Sequence, residues 1–244
     1  MKSYLISSTK KSSGKTIIAT GISSILSRTD SLAVFKKGPD YIDPYWLSLA
    51  SKVNCYNLDF FTMSNSEIKK LYKQMSYEKN ISIIEGNKGL FDGISLDGGD
   101  SNASLAHLLK LEVILVIDCV GMTRGVAPLL KGYQEFDKKI KYKGIILNNI
   151  ANDRHENKVI SAINEFTKLK IIGSIHKNKQ LTIMEKKLGL EPVFQNPYTK
   201  NIIKNISSVI KKSVDMKYLI NKKTNNKDNK IPKVVLKKHI YSNL

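Results

Sequence analysis

The stretch KSYLISSTKKSSGKT, residues 2–16, decides the fold. Lys2 to Ser7 is a short apolar run of strand length, Ser, Thr and Lys fill the next positions, and from Thr16 to Leu26 the apolar residues recur at helical spacing. Strand, polar loop and helix in that order are the context in which Gly14-Lys15-Thr16 reads as a phosphate-binding loop. Backbone N–H groups at the helix N-terminus face the phosphates, the Lys15 ammonium reaches the β and γ oxygens, and the Thr16 hydroxyl suits Mg²⁺. Ser12, Ser13, Gly14, Lys15 and Thr16 are therefore the expected contacts to ATP. The first glycine usual in such a loop is absent, with Ser8 and Thr9 near its place. Apart from Gly14 the loop is expected to keep negative φ. Lys10 is either a second phosphate-reaching lysine or a solvated one, and the second is the plainer reading in a lysine-rich chain.

Outward from this stretch, Leu32–Phe35, Ile81–Ile84, Val113–Ile117, Gly144–Leu147 and Ile171–Ile175 are further short, largely β-branched runs. Helical patterns lie around Trp46 and from Ser66 to Met75, and helix-length segments separate the later runs. Strands apolar on both faces that alternate with helices predict an α/β domain with a doubly wound, mostly parallel sheet. Such sheets bind ligands outside the carboxyl ends of their strands. Pro39 and Pro44 are expected to keep a regular helix out of the loop after the second strand. The domain is expected to span residues 1–213, with 214–244 a Lys/Asn-rich, linker-like tail.

The 244 residues are 41% hydrophobic and 25% charged, which excludes wholesale disorder, and no apolar run is long enough to span a bilayer. With no secretory signal pattern at Met1, the chain reads as cytoplasmic. Two cysteines, Cys55 and Cys119, make neither a zinc site nor a disulfide framework. Cys55 is expected between helices and Cys119 at a strand end. The formal net charge of +19 invites a nucleic-acid reading. Ten of the lysines, however, fall in residues 211–244 and the rest are scattered among Asn and Ile. Compositional drift explains the charge better, so neither a nucleic acid nor a membrane is expected as partner.

The remaining chemistry lies in FKKGPDYIDP (Phe35–Pro44), NLD (Asn57–Asp59) and EGNKGLFDG (Glu85–Gly93). Together with GIILNNI and Arg154-His155, these stretches resemble the cobyrinic acid a,c-diamide synthase family, in the family's order, over roughly residues 3–210. The resemblance implies a P-loop NTPase fold of the dethiobiotin synthetase and MinD kind. It also implies ATP-dependent amidation of side-chain carboxylates on a modified tetrapyrrole, through an acyl phosphate. By the same resemblance Thr16, Asp40 and Glu85 form the metal shell, while Asp43, Tyr41 and Asp92 place substrate and assist catalysis. Asn148 is expected near adenine, and Asp118 resembles a Walker B aspartate. Asn87 and Lys88 depart from the small or apolar residues usual at their positions.

Full-length members of that family carry a C-terminal glutaminase half with a Cys-His-Glu triad, which neither cysteine here resembles. Ammonia is accordingly expected from elsewhere, a separate glutaminase chain being one source, and impaired activity is the competing expectation. The expected substrate is a polycarboxylate tetrapyrrole, and a homodimer is an admissible assembly. Two other readings stand beside this one. A MinD/ParA-like regulatory ATPase would use Lys10, but GPDYIDP is a substrate-side motif that such a switch does not need. A dethiobiotin synthetase-like ligase would share the fold and carboxylate activation, without needing the Phe91-Asp92-Gly93 and Arg154-His155 elements.

Overall fold

The computed structural model describes residues 1–178, 181, 185–186, 189–190, 193 and 197–220. Seven strands form one sheet: β1 (Lys2–Ser8), β2 (Leu32–Lys37), β3 (Cys55–Leu58), β4 (Ile81–Glu85), β5 (Glu112–Asp118), β6 (Lys141–Ile150) and β7 (Ile171–His176). Their order is β3-β2-β4-β1-β5-β6-β7, and every pairing is parallel. A two-residue pair, β8 (Glu185–Lys186) and β9 (Gly189–Leu190), runs antiparallel apart from that sheet.

The helices are α1 (Lys15–Leu26), α2 (Asp43–Ser51), α3 (Asn65–Met75), α4 (Asn102–Leu109), α5 (Val126–Phe136), α6 (Asp153–Phe166), α7 (Thr199–Ser213) and α8 (Met216–Ile220). Side chains alternate across each strand, so successive residues feed two cores. On one face Tyr4, Ile6, Val34, Ile83 and Ile114 pack with Ile18 and Ile22 of α1, Trp46 of α2 and Ile206 of α7. On the other, Leu5, Phe35, Ile84 and Leu115 pack with Ile68, Leu105, Leu130 and Ile163 of α3 to α6. This is the doubly wound α/β architecture that the strand pattern predicts.

Three expectations need refinement or correction. Cys55 lies between α2 and α3 in the chain but not in a loop: it opens β3, whose four residues CYNL pair Val34 with Cys55 and Lys37 with Leu58 at the sheet edge. Only Leu58 is fully enclosed, so this edge strand lacks the apolar run that marks the others. The Pro39–Pro44 loop does not exclude helix throughout, because α2 begins at Asp43 with Pro44 in its first turn. There the missing proline N–H costs no helical hydrogen bond. Packing also continues past Ser213. Val214 bridges Gly173, Leu219 is buried, and Tyr4 Oη donates to the Leu219 carbonyl at 3.0 Å. The tail expected at 214–244 is therefore part of the packed domain through Ile220, and its residues 221–244 lie outside those described. No described helix is long and apolar enough to cross a membrane.

Candidate active site

The carboxyl ends of β1, β2 and β4, adjacent in the sheet, bring the predicted motifs together. The loop from β1 into α1 turns on Gly14, at φ 88°, and on Ser12, at φ 57°. Ser12 corrects the expectation that non-glycine positions stay at negative φ, whereas Thr9, near the place of the missing glycine, does stay out of the left-handed region. Side chains knit the loop together. Ser13 Oγ donates to the Lys10 carbonyl at 2.8 Å, Ser8 Oγ lies 2.6 Å from the same carbonyl, and the Lys15 ammonium donates to Ser8 Oγ at 3.1 Å. Tyr133 Oη on α5 donates to the Thr9 carbonyl at 2.8 Å.

Two residues from the far half of the sheet brace this loop. Asn148 Nδ2 donates to the Ser13 carbonyl at 2.9 Å, and it sits where a β-carbon on residue 14 would fall. Asn148 thus lies beneath the loop, on its supporting side. The Lys10 ammonium pairs with Asp118 Oδ2 at 2.8 Å, and Asn149 Nδ2 holds the other Asp118 oxygen at 2.9 Å. Asp118 therefore joins Lys10 rather than the carboxylates around Thr16.

Those carboxylates centre on a residue that the sequence reading passed over. Lys36, the penultimate residue of β2, is almost fully buried, and its ammonium lies 2.6 Å from Asp43 Oδ2, 3.1 Å from Glu85 Oε1 and 3.9 Å from Asp40 Oδ2. The Thr16 hydroxyl donates to the same Glu85 oxygen and lies 3.4 Å from the same Asp43 oxygen. Glu85 is wholly enclosed, and its second oxygen, Oε2, has no hydrogen-bond partner among the described residues. Burial disfavours charge on Lys36, but Glu85, Asp43 and Asp40 outweigh that penalty and hold its pKa above the ordinary lysine range. Burial raises the Glu85 carboxyl, with Lys36 and Thr16 pulling it back. Lys15 is lowered, first by burial and then by Lys36.

Asp40 and Asp43 make different contacts. Asp40 Oδ1 accepts the backbone N–H groups of Ile42 (2.9 Å) and Asp43 (3.1 Å), which fixes the turn that enters α2. Asp43, on the first turn of α2, is the acid that faces Thr16 and Lys36. Tyr41 points outward and is 71% exposed. Asp92 Oδ2 accepts the Gly89 N–H at 2.9 Å and stays in the loop after β4. That loop is shaped by Asn102, which is buried and donates to Ser7 Oγ at 3.1 Å and to the Gly89 carbonyl at 2.8 Å. Asn102 has no motif to announce it. Lys36 stood within the quoted FKKGPDYIDP, and a polar residue closing an apolar strand just before a motif is the signal that marks it.

The donor set fits a hard divalent cation. Thr16 Oγ1 and the Asp43 and Glu85 carboxylates are oxygen ligands of the kind Mg²⁺ takes, and the unpartnered Glu85 Oε2 leaves acceptor capacity to spare.

A phosphate loop opening α1, beside acids gathered at the ends of neighbouring parallel strands, defines a P-loop nucleotide-binding domain. A family model described as an AAA domain matches residues 39–185, and the chain belongs to that family. Solved structures agree on the fold. MinD of Aquifex aeolicus aligns with a TM-score of 0.50 at 16% identity, over 88% of this chain and 98% of that one. Chloroplast FtsY of Physcomitrella patens aligns with a TM-score of 0.52 at 12% identity, over 84% and 65%.

Within that class the chain is a homologue of the cobyrinate a,c-diamide synthases. It is 41% identical to that of Magnetococcus marinus over 216 residues, 88% of this chain and 46% of the relative. With those of Methanococcus vannielii and Picrophilus torridus it shares 40% and 38% identity, over 79% and 90% of this chain and 43% and 50% of theirs. The chain spans about half the length of the curated relatives it matches.

Proposed function

We propose that the domain activates a carboxylate of an organic acid with ATP and converts it to a carboxamide, the acid being a modified tetrapyrrole with carboxylate arms. The carrying observation is the convergence of Thr16 and Lys15 from the phosphate loop with Lys36, Asp43 and Glu85 from β2, α2 and β4. A purely regulatory ATPase needs the phosphate loop, whereas a second wall with its own cation and acids is what a second substrate requires. Homology to the cobyrinate a,c-diamide synthases supplies the substrate class.

In this reading the loop N–H groups and Lys15 hold the phosphates, with Thr16, Asp43 and Glu85 as the residues that would hold Mg²⁺. When bound, the cation offsets the negative charge between nucleotide and acid. A carboxylate oxygen of the substrate forms a bond to the γ-phosphorus while the bond to the ADP oxygen breaks. Ammonia then attacks the acyl carbon, phosphate leaves with the C–O electrons, and the nitrogen loses a proton. Lys36 stands beside the acids at this point and can pair with the incoming carboxylate, holding two anions in line. Ammonia comes from glutamine hydrolysed on another chain or domain.

The test is acid-dependent phosphate release by the full chain with ATP, Mg²⁺ and ¹⁵N-ammonium, across tetrapyrroles bearing acetate arms. Mass spectrometry should find ¹⁵N in the product. Phosphate release that stays at background with every acid, ammonium present, overturns the reading.

A further inference from the structure

β2 ends in two lysines, and strand alternation sends their ammonium groups to opposite faces of the sheet. Lys36 meets the acids beside the phosphate loop. Lys37 enters the other core and is 5% exposed, yet it has no carboxylate within 4 Å among the described residues. Among the described residues its ammonium makes one hydrogen bond, to Asn87 Oδ1 at 3.1 Å, and its charge lies 5.7 Å from the centroid of the Phe60 ring. An ammonium carries three donors, so a buried lysine with one hydrogen bond has capacity directed elsewhere. Burial lowers its pKa, and the more distant Asp100 and Asp59 only partly compensate.

Lys37 lines a cleft of about 160 Å³ between the loops after β2, β3 and β4, with Asn87, Lys88, Phe60, Phe61 and Ile94 among the walls. Three aspartates also line it, but they are turned onto their own loops. Asp59 caps Phe61 N–H and the Thr62 hydroxyl, Asp92 caps Gly89 N–H, and Asp100 caps the N–H groups of Ile94 and Ser95. Those hydrogen bonds orient the three carboxylates without removing their charge, so a dianion is disfavoured, and the anion the cleft can take is a singly charged group held by the unspent donors of Lys37. At the mouth, Phe61 and Ile94 are 65% and 70% exposed and offer apolar surface to the body of the same ligand.

We propose that this cleft is a carboxylate subsite, in which Lys37, with Asn87 and Lys88, anchors an arm of the substrate other than the one that reacts beside Lys36. The inference rests on the proposed reading of the site, because it takes the ligand to be an acid with several arms. It adds that one arm is held on the far face of β2 while another is presented to the nucleotide. Neither Lys37 nor Asn87 touches the phosphate loop.

The probe is coproporphyrin III, a fluorescent macrocycle with four carboxylates, titrated into the full chain without nucleotide. Lys37→Met should weaken its binding about ten- to hundredfold, the loss expected for one charge-assisted hydrogen bond to a buried carboxylate, and Lys37→Arg should recover part of it. Affinity for a fluorescent ATP analogue should not change. The melting temperature of Lys37→Met should hold or rise, since an isosteric apolar chain no longer buries an under-compensated charge. Coproporphyrin binding within twofold of wild type in Lys37→Met overturns the subsite. So does wild-type protein that fails to bind the probe at submillimolar concentration, or a Lys37→Met variant that melts well below wild type and so marks Lys37 as structural. If no tetrapyrrole is amidated while probe binding still depends on Lys37, the reaction fails and the subsite stands.

Discussion

Replacing Lys36 with Met tests the site at its centre. The variant keeps most of the buried aliphatic stem and removes only the charge that lies 2.6 Å from Asp43 and 3.1 Å from Glu85. Removing one member of a buried ion pair costs about 3–5 kcal/mol, because the partner is left enclosed and uncompensated. For a chain of this size each kcal/mol lowers Tm by roughly 2–4 °C, so a fall of roughly 6–20 °C is expected. The sign with pH follows from the raised pKa of Lys36: its stabilisation is complete below the ordinary lysine value and is lost only as pH rises through the higher folded value. Lys36 itself therefore adds no pH dependence below its ordinary value, but Glu85, raised to about 7 with Lys36 pulling it down, rises further in the variant, so the gap between wild type and variant should widen as pH rises above about 7. The same oxygens that pair with Lys36 take the Thr16 hydroxyl, so a cation held by Thr16, Asp43 and Glu85 must compete with the lysine. Millimolar Mn²⁺ without nucleotide should then raise the Tm of Lys36→Met much more than that of wild type. Differential scanning fluorimetry with a Mn²⁺ titration, checked by electron paramagnetic resonance of free Mn²⁺, reads both effects. A variant as stable as wild type, or one whose Mn²⁺ response matches wild type, refutes the argument.

Asp43→Asn should lower acid-dependent phosphate release by about a hundredfold, the scale of losing one pre-organised electrostatic contact, while Asp40→Asn, whose amide oxygen can still cap the turn, should lose less than about tenfold. The reverse order would make Asp40 the inner acid. Gly14→Ala should lose nucleotide affinity in a fluorescent-ATP titration, because it forces alanine to φ 88° and drives its β-carbon into Asn148 Nδ2; unchanged affinity would show that the loop relaxes freely. Lys15→Met should melt above wild type at pH 7. A folded pKa lowered to about 8 costs roughly 3 kcal/mol while the lysine is charged, and the gap should close between pH 8 and the unfolded value near 10.5. Parallel melting curves across that range would contradict the burial of Lys15.

The six strands that the sequence declares are those buried on both faces, where β-branched runs leave no other reading. The seventh, β3, stayed hidden although the other edge strand, β7, did not. Cys55 to Leu58 is short and three of its four residues are half exposed, so it carries no continuous apolar signal. Its existence is decided by pairing with β2, a long-range fact that local periodicity does not contain. The boundary expected at Ser213 failed similarly. Met216 to Ile220 has too few residues to show a helical period, and what holds it is the contact of Leu219 with the first strand.

At the site, residue types were legible and partners were not. Gly14, Lys15 and Thr16 declare themselves because strand, loop and helix dictate how that tripeptide is used. The resemblance assigns Asp40 to the metal shell and Asp43 to substrate placement, and the turn between them gives the two acids different contacts. Asp40 bends back to cap Ile42 and Asp43, and this capping starts α2 and aims Asp43 inward. The sequence shows two acids three apart, and only the backbone between them shows that Asp40 caps the turn through Oδ1 while its Oδ2 lies 3.9 Å from the Lys36 ammonium. Lys36 and Lys37 make the same point from the other side: adjacent and identical, they differ by one pleat. One is surrounded by acids, the other faces a cleft with donors unspent, so a shift of one residue in the register of β2 would exchange their environments. Register is thus the link through which this chain's sequence reaches its chemistry, because the pairing of Lys36 with Glu85 across β2 and β4 sets which lysine meets the nucleotide side.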